Sequence, residues 1–372
     1  MASPDVVLVT GYPLMLARAV CAEIVASDPQ AHVHAVVRAQ HAEEARASVD
    51  ELPASDARRI DLIAGDPSAI DMGLSGSEFK SLTAEVTRIH CCAPVPHPGV
   101  DRKTAEHANI DGAREALELA SCCGKLECLV FHSTAHVSGD RKGLVREDEL
   151  KAGQSFRNVV EEAKARAEKL MRAAMGRLPI AVVRPATIVG DSRTGEVDRF
   201  DGPYLLIVLV VASPPDFALP LPGRGEERLN LVPIDWVARA SVAIGRDPRA
   251  AGRTFHLVDP RPPTARRVFE LVAKAGGRRG PRGSIPATFA KALLRAPGLE
   301  RIAHSPRTLL ETMTNPVTYD SRNADDLLES LGVGACPPLE TYVDRLVEYV
   351  QRHVRERRAT RKAALEIEDP LS

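Results

Sequence analysis

The chain has 372 residues, 44% hydrophobic and 27% charged, with a formal net charge of −1 at pH 7. That is enough to bury a full core in one large domain or two smaller ones. The near-neutral balance excludes a global electrostatic pull toward nucleic acid or an anionic membrane.

No basic segment precedes the first apolar run, Val6-Val7-Leu8-Val9, so no secretory signal is read there. The longest apolar stretch, Tyr204 to Ala212, is too short to span a bilayer. It reads as a buried element or as a surface that touches lipid. Seven cysteines include the adjacent pairs Cys91-Cys92 and Cys122-Cys123, which disulfide geometry rarely bridges. None has zinc-site spacing, so the expectation is reduced thiols, a cytoplasmic protein and no metal.

Val6–Val9 reads as a strand, Ala17–Ala26 as a helix, His32–Val37 as a strand and Ala42–Leu52 as a helix. Ile60–Ile63 and Val86–His90 follow as strands, then a long helix over Thr104–Ala120. Leu126–Phe131 is the fifth strand, Ser155–Met175 a long helix and Ile180–Arg184 the sixth strand. Strands alternating with helices predict βαβ crossovers in an α/β, doubly wound, mostly parallel sheet of Rossmann type over residues 1–185. After Pro185 prolines and glycines thicken, and residues 186–338 are expected to form a smaller, irregular substrate-type domain, interleaved with the sheet, as a lid over the crevice. Thr254–Val258 reads as a late strand there, and Thr264–Ala275 and Asp325–Leu331 as helices. Residues 339–372 form a tail, helical and amphipathic over Leu339–Leu365. Its end carries Arg352, Arg355, Arg357, Arg358, Arg361 and Lys362, a solvated face or a contact for a partner or membrane.

The turn after the first strand runs Val9-Thr10-Gly11-Tyr12-Pro13-Leu14-Met15-Leu16-Ala17. Later segments include Val37-Arg38, Gly65-Asp66, Asn109-Ile110-Asp111-Gly112, Ser133-Thr134-Ala135-His136-Val137-Ser138-Gly139 and Val183-Arg184-Pro185. In this order and spacing they resemble the extended short-chain dehydrogenase/reductases, nearest the thioester-reductase and fatty-acyl-reductase branch. The resemblance runs from Val6 to about Val350. It implies a Rossmann fold, an NADP cofactor and carbonyl reduction by hydride transfer. It places Thr10, Gly11, Arg38, Asp66 and Lys164 at the cofactor, with Arg38 near an adenosine 2′-phosphate and Asp66 at adenine. It also makes Thr134 the hydroxyl that holds the carbonyl oxygen, and it implies a homodimer through the helices at 104–120 and 155–175.

The chain departs from this pattern twice. The family's turn reads Thr-Gly-x-x-Gly-x-x-Gly, and by spacing Leu14 stands at the middle glycine and Ala17 at the last. The middle glycine lets the backbone approach the pyrophosphate, which the isobutyl group of Leu14 opposes. Pro13 removes a backbone N–H from a turn that works by presenting such donors. The turn has therefore lost pyrophosphate binding or rearranged around Leu14. The second departure is catalytic. The family's general acid is a tyrosine four residues before the lysine, on the same helix face. Lys164 is present, but Val160 occupies the tyrosine position. None of the five tyrosines has a lysine four residues on. His136 and His132 flank Thr134, and a histidine such as His136 could serve as acid in place of the phenol.

The reading taken forward is a pseudoenzyme that binds a partner protein or lipid-like ligand. One alternative is an active NADP-dependent oxidoreductase of an acyl thioester, aldehyde or alcohol. Another is a peripheral membrane or lipid-associated protein that uses Tyr204–Ala212 and the basic tail.

Overall fold

The computed structural model describes residues 4–92, 100–200, 202–214, 220–285 and 316–368. In chain order the principal elements are β1 (Val6–Tyr12), α1 (Met15–Ser27), β2 (His32–Val37), α2 (Ala42–Asp50), β3 (Ile60–Ala64), α3 (Gly76–Glu85), β4 (Arg88–Cys91), α4 (Arg102–Glu106) and α5 (Gly112–Cys122). There follow β5 (Cys128–His132), α6 (Val159–Ala174), β6 (Ile180–Pro185), α7 (Pro203–Ala212), α8 (Ile234–Arg246), β7 (Thr254–Leu257), α9 (Ala265–Ala275), α10 (Arg322–Ser330) and α11 (Val343–Glu368).

Two compact units result. The first comprises Met1–Ile188, Ile234–Pro260 and Val317–Cys336, the second Val189–Pro233, Arg261–Pro316 and Pro337–Ser372. The sequence sets 186–338 as a second domain interleaved with the sheet. Two stretches of it lie in the first unit, because β7 pairs with β6 (Phe255 with Val183) and α8 packs against the sheet. Nor is 339–372 a separate tail. Leu346, Val347 and Val350 of α11 lie in one core with the residues of α7 and α9.

The first unit is a seven-stranded sheet in the order β7-β6-β5-β4-β1-β2-β3. Every neighbouring pair is parallel. Parallel strands are covered on both faces, so their sequences run apolar without alternation; β5 and β6 are buried at every position. One face (Leu8, Ile89, Leu129, Phe131, Val182) packs on α5 and α6. The other (Val7, Val9, Val33, Ala35) packs on α1 and on Ala238 and Val242 of α8. The strand order reverses between β1 and β4, and in such sheets ligands bind beyond the carboxyl ends at that point.

Two helices escape the sequence reading. α3 opens with Ser75 and Glu78, each bonding the other's backbone N–H, the Ser-x-x-Glu signature of a helix start. α8 carries buried Ile234, Val237, Ala238, Ser241, Val242 and Gly245 at helical spacing. The expected single helix at 104–120 is two helices joined by a π turn over His107–Asp111.

Four buried side chains tie the first unit together. Glu168 of α6 and Arg184 of β6 are both wholly buried. The Arg184 guanidinium donates to Glu168 from Nε (3.1 Å to Oε1 and 3.0 Å to Oε2) and from Nη2 (2.5 Å to Oε1). Ser133 Oγ donates to the same carboxylate at 2.6 Å. Glu147 accepts from three backbone N–H groups, those of His256 (2.8 Å), Asn323 (2.7 Å) and Ala324 (3.2 Å).

In the second unit the apolar run forms α7, where Tyr204, Leu205, Leu206, Ile207, Val208 and Val210 are buried against α9 and α11. Among the described residues no helix is long and apolar enough to cross a membrane.

A buried ion pair is costly to break from one side, because the remaining charge has no partner. Glu168→Leu should therefore lower stability by about 3–5 kcal/mol. Adding Arg184→Met to it should restore a substantial part of that loss. Urea unfolding followed by circular dichroism tests both; a double variant no better than the single one contradicts this account.

Candidate active site

The phosphate turn sits at the strand-order reversal. Gly11 has φ +88°, and a Cβ there would lie 1.7 Å from the Cys92 carbonyl oxygen, so no other residue fits. Thr10 is buried and pairs in register with Cys91. Tyr12 points inward, with its hydroxyl 2.7 Å from Ser48 Oγ, and burial pushes its phenol up to about 12. The Tyr12–Pro13 peptide is cis. The Leu14 N–H donates to Gly11 O at 3.1 Å, and Leu14 caps α1 with no side-chain acceptor. Its side chain is 39% exposed and lines a cleft beside the turn. Ala17 is fully buried where the helix meets the sheet.

Across that cleft, Arg38 follows β2 and Asp66 follows β3. They pair with each other: Arg38 Nε donates to Asp66 Oδ1 at 3.0 Å, and its Nη2 donates to Ser68 Oγ at 3.2 Å. The Ser68 N–H also donates to Asp66, at 2.9 Å.

The residues that the resemblance places at the reaction lie beyond β5 and on α6. Asn158 caps α6, its Oδ1 accepting from the N–H groups of Val160 (3.1 Å) and Glu161 (2.9 Å). Val160 is thereby fixed in the first turn, packed in an apolar cluster with Ala105, Ile110 and Ala163. One turn on, Lys164 is 2% exposed and donates to His132 O at 3.0 Å. Burial lowers its pKa, while Cys91, Cys92 and Glu168 pull the other way. Thr134 Oγ1 accepts from the His136 N–H at 3.2 Å.

His136 lies between Arg157 Nη2 on Nδ1 and Thr187 Oγ1 on Nε2, both at 3.2 Å. A guanidinium only donates, so Nδ1 accepts and the imidazole's single hydrogen is on Nε2, spent on Thr187. Burial, then the Arg157 charge, pulls His136 down to about 4. It is neutral at pH 7. His132 is buried, its Nε2 3.2 Å from His90 Nδ1 and its own Nδ1 without a hydrogen-bond partner among the described residues.

Several neighbours carry no sequence signal strong enough to single them out. Tyr319 brings its hydroxyl to 3.2 Å from Ser138 Oγ across 181 positions of sequence. Arg157 and Thr187 belong to the same group. Asn109, from a segment that carries the resemblance, sits fully buried in the π turn, donating to Ala105 O at 2.8 Å, with its Oδ1 without a partner among the described residues. Glu168 could have been found, since it continues the stripe of Val160 and Lys164 at four-residue spacing. No group of three or more His, Cys, Asp or Glu is placed to hold a metal among the described residues.

A doubly wound parallel sheet with a glycine turn at its reversal and a lysine-bearing helix beside β5 defines an oxidoreductase-like, dinucleotide-binding class. The chain belongs to the NAD-binding family described as male sterility protein, whose model matches residues 9–241. It is thereby an extended short-chain dehydrogenase/reductase of the thioester-reductase-like branch. Glycine betaine reductase of Emericella nidulans is 27% identical over 225 residues, covering 59% of this chain and 17% of that protein. A linear gramicidin synthase of Brevibacillus parabrevis is 24% identical over 245 residues, 62% of this chain and 5% of that protein. The chain thus spans less than a fifth of either curated relative. The terminal R domain of the myxalamid PKS-NRPS pathway matches with TM-score 0.79 and 24% identity, over 95% of this chain and 92% of that one. The reductase domain of a nonribosomal peptide synthetase from Mycobacterium tuberculosis matches with TM-score 0.71 and 20% identity, over 94% and 91%.

Buried neutral histidines give the fold a pH dependence. Burial pulls His90 and His256 down to about 3, well below the free value of 6.5. Above pH 6.5 both are neutral folded and unfolded, and pH has no effect through them. Below it the unfolded chain takes up protons that the folded chain refuses, so stability falls as pH falls. At pH 5 each should cost about 2 kcal/mol relative to pH 7. Urea midpoints at the two pH values, with His90→Gln for comparison, measure this; the variant should lose less between them.

Proposed function

We propose that this protein is a catalytically degenerate member of its family, which acts by binding a ligand or partner and not by hydride transfer. The observation that carries the reading is Val160, packed among Ala105, Ile110 and Ala163 where the family's general acid stands. A valine neither gives nor takes a proton, and losing a general acid costs about 10²–10⁴-fold in rate. His136 does not replace it, being neutral with its N–H already engaged.

The phosphate turn supports the same reading. A pyrophosphate needs backbone donors and open space at the helix start. Pro13 has no N–H, that of Leu14 is bonded to Gly11 O, and the Leu14 side chain lines the cleft. These residues do not fit the diphosphate of NADP, although Gly11, Arg38 and Asp66 keep their places.

The second reading, an NADP-dependent reductase of an acyl thioester or aldehyde, is favoured by retained Thr134 and Lys164 and by relatives whose names include reductases. NADPH oxidation with octanal or octanoyl-coenzyme A separates the two. The wild type should show no turnover above background, and Lys164→Met should change nothing. A Leu14→Gly, Val160→Tyr double variant should gain measurable turnover. Wild-type turnover abolished by Lys164→Met would establish the reductase instead.

A further inference from the structure

Lys164 is a buried amine that the non-catalytic reading leaves without a task. Its side chain is 2% exposed. Among the described residues its Nζ is held by one hydrogen bond, to His132 O at 3.0 Å, and pairs with no carboxylate. Glu168, one turn further along α6, is committed elsewhere, accepting from Arg184 and from Ser133 Oγ.

The other groups that face the amine bring little charge. The Phe131 ring centroid lies 5.8 Å from Nζ. Burial keeps His132 neutral and Cys92 a thiol at pH 7, and Cys91 is buried next to it. One turn earlier on the same helix face, Val160 brings a hydrocarbon side chain, packed with Ala163. A lysine removed from water with no paired carboxylate gives up its proton more readily, and the neutral amine is a nucleophile. Two residues beyond the carbonyl that holds it, Thr134 is only half-buried, as is His136. The strand end beside the amine therefore leads to the surface of the first unit.

From this arrangement we infer that Lys164 captures an alkyl aldehyde covalently, as an imine. The flexible four-carbon stem carries Nζ from its single acceptor to the incoming carbonyl. The amine lone pair attacks the carbonyl carbon and a C–N bond forms. Both amine hydrogens then leave with the carbonyl oxygen as water, and C=N replaces C=O. The step is a condensation, so it needs no oxidant or reductant. A carboxylate or phosphate finds no charge on a neutral amine, and an alcohol offers it no electrophilic carbon. An aldehyde gives its carbon to the amine and its chain to the apolar groups at Phe131, Val160 and Ala163. This rests on the reading that the protein binds without transferring hydride, and it names the ligand class.

The test is incubation of the full chain with octanal and sodium cyanoborohydride, without NADPH, between pH 6 and pH 8. The hydride reagent fixes an imine as a stable secondary amine, and peptide masses locate it. An ordinary lysine loses about tenfold of its neutral form per pH unit. Labelling of exposed lysines such as Lys80 and Lys169 should fall by about that factor per unit, while labelling of Lys164 should fall much less. At pH 6 Lys164 should carry about tenfold more label than either of them. Val160→Asp sets a carboxylate one turn before the amine and should cut its labelling about tenfold by holding it charged. Circular dichroism checks that this variant folds, and the wild-type pH profile decides the matter without it. No label on Lys164, or label that falls with pH as steeply as on the exposed lysines, overturns the inference. NADPH-dependent turnover alongside selective Lys164 labelling would remove the non-catalytic reading and leave this one standing. Absent turnover with no label at Lys164 would do the reverse.

Discussion

The buried pair of Arg184 and Glu168 is the constraint on which the arrangement of the crevice depends. It joins α6 to β6, and through Ser133 it reaches the loop that carries Thr134 and His136. Residues four apart on a helix share a face. Fixing Glu168 against the sheet therefore fixes Lys164 one turn earlier, at the His132 carbonyl, and Val160 one turn before that. Arg184 also reaches His256 Nε2 at 3.2 Å, which brings β7 into the same network. One desolvated ion pair thus ties α6, β6, β7 and the loop after β5 together.

The network that orients α6 is complete: Glu168 has three donors, Lys164 an acceptor and Asn158 two N–H partners. Val160, at the position that the resemblance gives to the general acid, packs in an apolar cluster. At the other end of the crevice the same division appears. Gly11 keeps the close approach to Cys92 that the fold needs, while Pro13 and Leu14 occupy the positions that would present donors to phosphate. In both places the groups that packing requires are present.

Much of this was legible before the structure. The doubly wound sheet followed from strands and helices alternating through residue 185, because a parallel sheet buried on both faces writes continuous apolar runs. β2 falls on the expected residues His32–Val37. The irregular half was harder, since chain order does not say which later segments return to the sheet; β7 and α10 do, while α7 and α9 do not. The ambiguity at Tyr204–Ala212 could not be settled from periodicity, because a helix buried on all sides has no polar face to give it away. At the site, spacing alone sets Leu14 and Val160 at the positions where the resemblance expects a glycine and a tyrosine. The grip of Arg157 and Thr187 on His136 was not, because no local pattern links positions 136, 157 and 187.

The three N–H groups gathered by Glu147 bear on the order in which the chain can fold. They come from residues 256, 323 and 324, more than a hundred positions downstream of the carboxylate. During synthesis the chain emerges from its amino end, and domains tend to complete as units when their last segment appears. Six strands of the sheet are available once β6 has been made, yet until residue 324 has emerged Glu147 waits without its full set of donors and β7 without the helix that follows Tyr319. Most of the second unit's sequence, including α7 and α9, emerges in that interval. The nascent first unit must hold an unfinished edge while a large apolar segment passes, which makes this stretch of synthesis the one most exposed to misassembly.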